Sequence, residues 1–314
     1  MTIEVEGLSK SFVTGRRGHR RAVEAVDRIS FRVAPGERLA YIGPNGAGKS
    51  TSIKMLTGIL FPTSGTATVL GLVPWRERRT LTRRIGTLFG QRSQLWLELT
   101  PRQSFTMLGA VFGLDRPTLN GRVAELGALL DATDLFDVPV RSLSLGQRMR
   151  CELAAALLHQ PEILFLDEPT IGLDLLGKHA LRELLVRLNE ERGTTIFLTS
   201  HDVADIEHVA ERVIVINHGS VIYDDKVATM RRTLLATKLV EVTLDQPVRN
   251  VVMPDGVTVT EHTDATLRFV VDTNRLPVRG LLDLLLDRYP VGDLSVLDPP
   301  LEEVIAEIYA VPRA

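Results

Sequence analysis

The sequence predicts an α/β fold built on a largely parallel sheet, followed by a small α+β domain. Three observations lead there. Short apolar runs alternate with longer helical stretches as far as about Tyr223, a glycine-rich turn stands between one such run and a helix, and the pattern changes after about Met230. Alternation of this kind marks strands whose connections are helices.

The candidate buried strands are Arg38 to Ile42, Ile85 to Phe89, Ile163 to Leu166, Thr195 to Leu198 and Val213 to Ile216. Several lack inward/outward alternation, as expected where helices cover both faces of a sheet. Ile3 to Val5 and Ile29 to Val33 do alternate and suit an antiparallel portion. Between Pro101 and Leu143 helical spacing replaces the strand signal, with Val123, Leu126, Leu129 and Leu130 on one face, which predicts a helical insert over about residues 92–150. Past Met230, Val240 to Leu244, Val257 to Glu261, Leu267 to Val271 and Leu294 to Leu297 read as strands, and Pro277 to Tyr289 and Leu301 to Tyr309 as helices. The predicted domains are residues 1–229 and 230–314.

Composition agrees with one large and one small globular domain: 314 residues, 44% hydrophobic and 24% charged. A net charge of −2 gives no field favouring nucleic acid, and the arginines at 16, 17, 20 and 21 and from Arg76 to Arg84 read as solvated faces. The single cysteine, Cys151, excludes an intrachain disulfide and fits a reducing compartment. No stretch has a signal-peptide layout or approaches the roughly 20 apolar residues of a membrane span, so any membrane step needs other chains.

Leu39-Ala40-Tyr41-Ile42 leads into Gly43-Pro44-Asn45-Gly46-Ala47-Gly48-Lys49-Ser50-Thr51, and the helical run Ser52 to Leu56 follows. A strand, a glycine-rich turn and a helix form the setting that a phosphate loop requires. Glycines let backbone N–H groups curl around an anion, and the helix N-terminus adds partial positive charge. Lys49 is then placed to bridge the β- and γ-phosphates and Ser50 to ligate Mg2+. The bare string would occur by chance in about one chain in a hundred of this length, and its flanking strand and helix lower that further.

Downstream stand Leu143-Ser144-Leu145-Gly146-Gln147, the apolar run Ile163 to Leu166 closing in Asp167-Glu168-Pro169-Thr170, then Ile171-Gly172-Leu173-Asp174 and Thr199-Ser200-His201-Asp202. In this order after a phosphate loop they resemble the ATP-binding subunits of ABC transporters, over roughly residues 2–230. The fold implied is the P-loop NTPase cassette of that family, a mixed sheet with a helical subdomain insert, plus the small α+β domain.

Asp167 ends an apolar strand, where an unpaired carboxylate is costly, so a metal-bound water or the Ser50 hydroxyl suits it. Glu168, one residue on, is placed to polarise an attacking water as general base. His201 follows a strand at its carboxyl end, where ligands of open α/β sheets collect. The resemblance implies that His201 contacts the γ-phosphate and orients the water, and that Gln91 senses Mg2+ and water, with Gln94 a nearby alternative. Phe12 matches the family's adenine-stacking aromatic, a core phenylalanine being the other reading. The segment Leu143 to Gln147 departs from the family's Leu-Ser-Gly-Gly-Gln at Leu145, while Ser144, Gly146 and Gln147 are retained. Ser144 also suits a helix N-cap, and the two roles are compatible because an anion prefers the same helix end.

The resemblance further implies a head-to-tail homodimer with two ATP molecules between its subunits. Each ATP would meet Phe12, the Gly43 to Thr51 loop, Gln91, Glu168 and His201 of one chain and Ser144 and Gly146 of the other, with Asp174 on the seam. Integral membrane permease subunits are the expected partners, docked beside Gln91 and Leu95-Trp96-Leu97 at the cytoplasmic face of the membrane; no nucleic acid is expected. Trp96 packing into its own subdomain is the other reading. The C-terminal segment ending Pro300-Leu301-Glu302-Glu303-Val304-Ile305 resembles that of ATPases serving drug and antibiotic exporters with separate permease chains. The rivals are an importer subunit, a soluble ABC ATPase acting on ribosomes or DNA, and a phosphate-loop kinase; the pairing of Glu168 with His201 argues against the last. The cargo is chosen by the permease and is not legible in this chain.

Overall fold

The computed structural model describes residues 1–14, 21–89, 93–200, 202–234, 237–248 and 250–297. Gln91, His201, the arginines at 16, 17 and 20 and the closing helix expected at Leu301 to Tyr309 lie outside the described residues. The chain divides into two compact units, Met1–Asp225 and Lys226–Ala314.

The first unit runs β1 (Ile3–Thr14), β2 (Arg21–Val33), β3 (Arg38–Ile42), α1 (Lys49–Leu56), β4 (Ser64–Val69), α2 (Arg78–Leu81) and β5 (Ile85–Phe89). The helical stretch follows as α3 (Pro101–Phe112), α4 (Arg116–Leu129) and α5 (Leu145–Leu157). Then come β6 (Ile163–Asp167), α6 (Leu175–Arg192), β7 (Thr195–Thr199), α7 (Val203–Val209), β8 (Arg212–Asn217) and β9 (Ser220–Lys226). A six-stranded sheet has the order β5-β6-β7-β3-β8-β9, and its pairs from β5 to β8 are parallel. A three-stranded antiparallel sheet has the order β2-β1-β4.

The central strands are buried on both faces, which is why they read as continuous apolar runs. Ile163 and Phe165 of β6 and Phe197 of β7 join the core shared with α1 and the antiparallel sheet, where Phe31, Tyr41, Phe165 and Phe197 form an aromatic cluster with ring centroids 5.4–6.3 Å apart. Leu164, Leu166, Ile196 and Leu198 point the other way, into the core made by α3 to α6. Fully burying each such side chain contributes about 1.5–3 kcal/mol, so alternation between two cores fixes the register of β6 and β7. In the helical stretch Val123, Leu126 and Leu130 are buried and Leu129 is partly buried against the same core. Burial pushes the Cys151 thiol up to about 12, an inert packing group.

The sequence did not betray β4, in which only Ala67 and Val69 are buried, nor β9, which has no buried residue. Strands with so little apolar content carry no periodic signal.

The second unit holds α8 (Val227–Leu234), β10 (Thr237–Leu244), β11 (Val257–His262), β12 (Thr266–Asp272), α9 (Val278–Arg288) and β13 (Val291–Leu297). Its antiparallel sheet has the order β11-β12-β10-β13. Val240, Val242 and Leu244 alternate with Leu267, Phe269 and Val271 on one face, and Leu281 and Leu285, one helical turn apart on α9, pack onto them. On β10, β11 and β12 Arg268 pairs with Glu241 at 3.0 Å and with Glu261 at 2.6 Å, a cross-strand ladder on exposed side chains.

Candidate functional site

Three neighbouring strands, β6, β7 and β3, bring their carboxyl ends to one edge of the sheet. The register Asp167↔Thr199 sets the last residues of β6 and β7 side by side, and β3 leads directly into the loop Gly43 to Gly48. In open parallel sheets this edge is where ligands bind.

The loop turns into α1 at Gly48, whose φ of 111° no side chain would adopt easily and whose Cβ would fall 2.4 Å from the Ala25 carbonyl oxygen. No side chain caps α1, so the N–H groups of its first turn are left to a bound group. Pro44, Asn45 and Gly46 are exposed, while Gly43 and Ala47 are buried and anchor the loop. Lys49 is buried, and its ammonium donates to the carbonyl oxygens of Gly43 at 2.5 Å and Pro44 at 3.3 Å, which draws the loop around it. Burial lowers the Lys49 pKa, opposed by the nearby Glu168 and Asp167.

Across the edge, the Ser50 hydroxyl donates to Asp167 Oδ1 at 3.2 Å, and the Thr199 hydroxyl donates to the same oxygen at 2.7 Å. The Glu168 amide in turn donates to Thr199, to its carbonyl at 3.1 Å and its hydroxyl at 3.2 Å. Glu168 Oε1 lies 3.9 Å from Lys49 Nζ. Glu168 has φ 56°, a left-handed conformation that a non-glycine residue adopts at a cost of order 1–3 kcal/mol. The strain turns the chain out of β6 within one residue, so that of the consecutive carboxylates Asp167 meets Ser50 and Thr199 while Glu168 faces Lys49. The Ser50 hydroxyl and the Asp167 carboxylate are hard oxygen donors side by side, a pairing that fits Mg2+.

The segment Leu143 to Gln147 opens α5. Ser144 is its N-cap in a reciprocal capping box: the Gln147 amide donates to Ser144 Oγ at 3.3 Å and the Ser144 amide to Gln147 Oε1 at 2.9 Å. Leu145 and Gly146 lean on the loop that follows Glu168: a Cβ on Gly172 would lie 2.7 Å from Leu145 Cδ2, and one on Gly146 would lie 3.9 Å from Leu173 Cδ2. A groove lined by Ser144, Leu145, Gly146, Gln147, Gly172 and Asp174 results. None of its lining residues belongs to the Gly43 to Thr51 loop. Asp174 caps α6, accepting from the Gly177 amide at 2.8 Å. Phe12 is 36% exposed on β1, with Lys10 Nζ 5.2 Å from its ring centroid, and is not a core residue.

Gln94 commits its side-chain amide to the Thr87 carbonyl at 2.6 Å. Of the neighbouring apolar residues Leu95 is buried, whereas Trp96 and Leu97 are exposed, at 43% and 48%.

Sequence reasoning missed four residues that shape this edge. One is Thr199. Another is Glu152 of α5, buried, whose carboxylate accepts from the Ser93 hydroxyl and from the Gln94 amide at 2.9 Å. The others are Asp205 and Arg182, both buried and joined at 2.6 Å. Asp205 also accepts from the hydroxyls of Thr170 and Ser200, each at 2.6 Å, which ties the chain just after Glu168 to the chain just before position 201. A signal was present for Glu152, a lone carboxylate inside the run Met149 to Leu157, and for Asp205, an acid at a buried position of a short helix.

Comparison with known proteins agrees with this geometry. The family model "ABC transporter" matches residues 26–171. The daunorubicin/doxorubicin resistance ATP-binding protein DrrA of Streptomyces peucetius is 31% identical over 316 residues, which is 99% of this chain and 93% of that protein. The chain belongs to the ABC transporter ATP-binding family. It is therefore an ATP-binding subunit that hydrolyses ATP. The Nod factor export ATP-binding protein I of Sinorhizobium fredii (strain NBRC 101917 / NGR234) is 33% identical over 98% of this chain and 86% of its own. Among solved structures, the dimeric MJ0796, a bacterial ABC transporter cassette, superposes with a TM-score of 0.63 at 25% identity, covering 72% of this chain and 98% of that one. No helix among the described residues of the ABC subunit is long and apolar enough to cross a membrane.

Proposed function

We propose that two copies of this subunit close head to tail around two ATP molecules and drive export of a drug-like or other small amphipathic compound through separate permease subunits in the membrane. The observation that carries the reading is the separation of two half-sites within one chain. Lys49, Ser50, Asp167 and Glu168 converge at one sheet edge, whereas Ser144 and Gly146 open a groove that contains no residue of the phosphate loop. A second chain supplying Ser144 and Gly146 completes the site. The dimeric form of MJ0796 and the export and resistance names of the two full-length relatives support the assembly and the direction.

In this reading the loop Gly43 to Thr51 and the N-terminus of α1 cradle the phosphates, with Lys49 turning from its own loop carbonyls to the β- and γ-phosphates. Ser50 and Asp167, with Gln91, would hold Mg2+, which neutralises phosphate charge. Glu168 takes a proton from the attacking water, and His201 orients that water against the γ-phosphate. Phe12, exposed on β1, takes the adenine. Asp174 lies on the seam between subunits. The exposed Trp96 and Leu97 form the contact with a permease helix at the cytoplasmic face. The second unit, residues 226–314, is an accessory domain of the exporter type.

The test is Glu168→Gln in the full chain. It keeps ATP binding, stops turnover and accumulates an ATP-bound dimer visible by size-exclusion chromatography with light scattering. Turnover equal to that of the native protein would remove Glu168 from the role of base, and an ATP-bound monomer would remove the sandwich.

A further inference from the structure

Away from the nucleotide edge, α6 and α7 present three metal-binding side chains to solvent at one spot. His179 and Glu183 stand one helical turn apart on α6, and His208 lies in the last turn of α7. One ligand atom from each comes within 4.8 Å of the other two. His208 Nε2 is 2.5 Å from Glu183 Oε1, and the His179 and His208 rings stand edge to face with centroids 5.7 Å apart.

We propose that His179, Glu183 and His208 form a zinc-binding site that clips α6 to α7. Two imidazoles and one carboxylate are a donor set that Zn2+ takes in tetrahedral sites, with water in the fourth position. Nitrogen donors disfavour Mg2+ and Ca2+, which prefer oxygen, so the site is chemically distinct from the Ser50–Asp167 pair.

The framework is already set. The two helices are joined independently by Arg182 to Asp205 at 2.6 Å and by Lys178 to Asp202 at 2.7 Å. The ligands therefore need only side-chain rotations, which exposed side chains make at little cost. Binding through His208 Nε2 requires its hydrogen on Nδ1, so zinc replaces the hydrogen bond between His208 and Glu183 with two metal–ligand bonds. The consequence is a cross-link between the helix capped by Asp174 and the helix capped by Asp202.

The experiment is a titration of the untagged full-length chain, stripped with chelator and free of nucleotide, with Zn2+ alone, followed by calorimetry and thermal unfolding. One zinc per chain is expected, with Tm rising by about 2 °C or more at saturating metal. His208→Ala and His179→Ala should each weaken binding by about tenfold or more, while His262→Gln, in the second unit, leaves it unchanged. All three side chains are exposed, so the variants keep the fold. Zinc affinity unchanged by His208→Ala, or Mg2+ competing at concentrations similar to Zn2+, overturns the site.

Discussion

The Glu152 carboxylate holds the Gln94 amide at 2.9 Å and receives the Ser93 hydroxyl, which fastens the helix opened by Ser144 to the segment that follows Gln91 in sequence. Two effects compete when this acid is removed. Its own burial is unfavourable, but the Gln94 main-chain amide left without its acceptor costs about 1–3 kcal/mol, whereas the Ser93 hydroxyl still has the Leu95 carbonyl at 2.9 Å. The stranded amide outweighs the relief of burying the acid, so Glu152→Ala is expected to destabilise by about 1–3 kcal/mol in urea unfolding. Hydrogen exchange should accelerate at Ser93 to Leu95 while the amides of β6 stay protected.

The same carboxyl carries a pH signature. Burial raises its pKa above the ordinary 4.5, outweighing the hydrogen bonds from Ser93 and Gln94 and the charge of Arg148, which pull it down. The folded state therefore keeps a proton that the unfolded chain has already released. That stabilisation is complete below the unfolded value and is lost as pH rises through the folded one. Glu152→Gln, neutral throughout, removes this contribution. The stability of the native protein relative to the variant should fall as pH rises from about 4.5 and level off above the folded value. Parallel stability curves across that window would contradict it.

How much of this was legible in the sequence depended on what each residue needs from its neighbours. The strands Arg38–Ile42 and Ile85–Phe89 stand where their apolar runs placed them, because buried parallel strands announce themselves locally. The partner of Asp167 was half legible: Ser50 follows from the phosphate loop, but Thr199 becomes its neighbour only through the pairing of β6 with β7. Glu152 reaches Gln94 58 positions away and Asp205 reaches Thr170 35 positions away, and no local pattern encodes such distances. The exposure of Trp96 was open in the sequence because a single aromatic carries no periodicity.

Leu145 stands where the family pattern has glycine, and its contact with Gly172 makes that departure measurable. Gly172 has φ 75°, and a methyl group there would lie 2.7 Å from Leu145 Cδ2. Gly172→Ala therefore combines a backbone cost of about 1–2 kcal/mol with an overlap that the exposed Leu145 side chain must rotate to relieve. In a Leu145→Ala background only the backbone cost survives. A double-mutant cycle should show a coupling of at least about 0.5 kcal/mol, with the second substitution rescuing part of the first. Strict additivity would mean that the signature segment and the loop after Glu168 are independent.

The buried pair Arg182–Asp205 should be the most sensitive point of the nucleotide edge. Asp205 is fully buried and serves three donors at once, Arg182 and the hydroxyls of Thr170 and Ser200, all at 2.6 Å. Asp205→Ala removes the nearer counter-charge of the buried Arg182 guanidinium and leaves it Asp202 at 3.1 Å, so the expected cost lies at or below the roughly 3–5 kcal/mol of a fully stranded buried charge. Asp205→Asn keeps an acceptor for the hydroxyls and should cost less. Replacing both members, as Arg182→Met with Asp205→Leu, removes the under-compensated charge and should recover much of the stability, while the Thr170 hydroxyl still lacks its acceptor and the Ser200 hydroxyl keeps only the Asp202 carbonyl at 3.4 Å. That double variant separates packing from positioning. If Asp205 sets the chain on either side of Glu168 and position 201, turnover stays low while ATP binding, followed with a fluorescent analogue, changes less. Recovery of turnover together with stability would reduce Asp205 to a structural role.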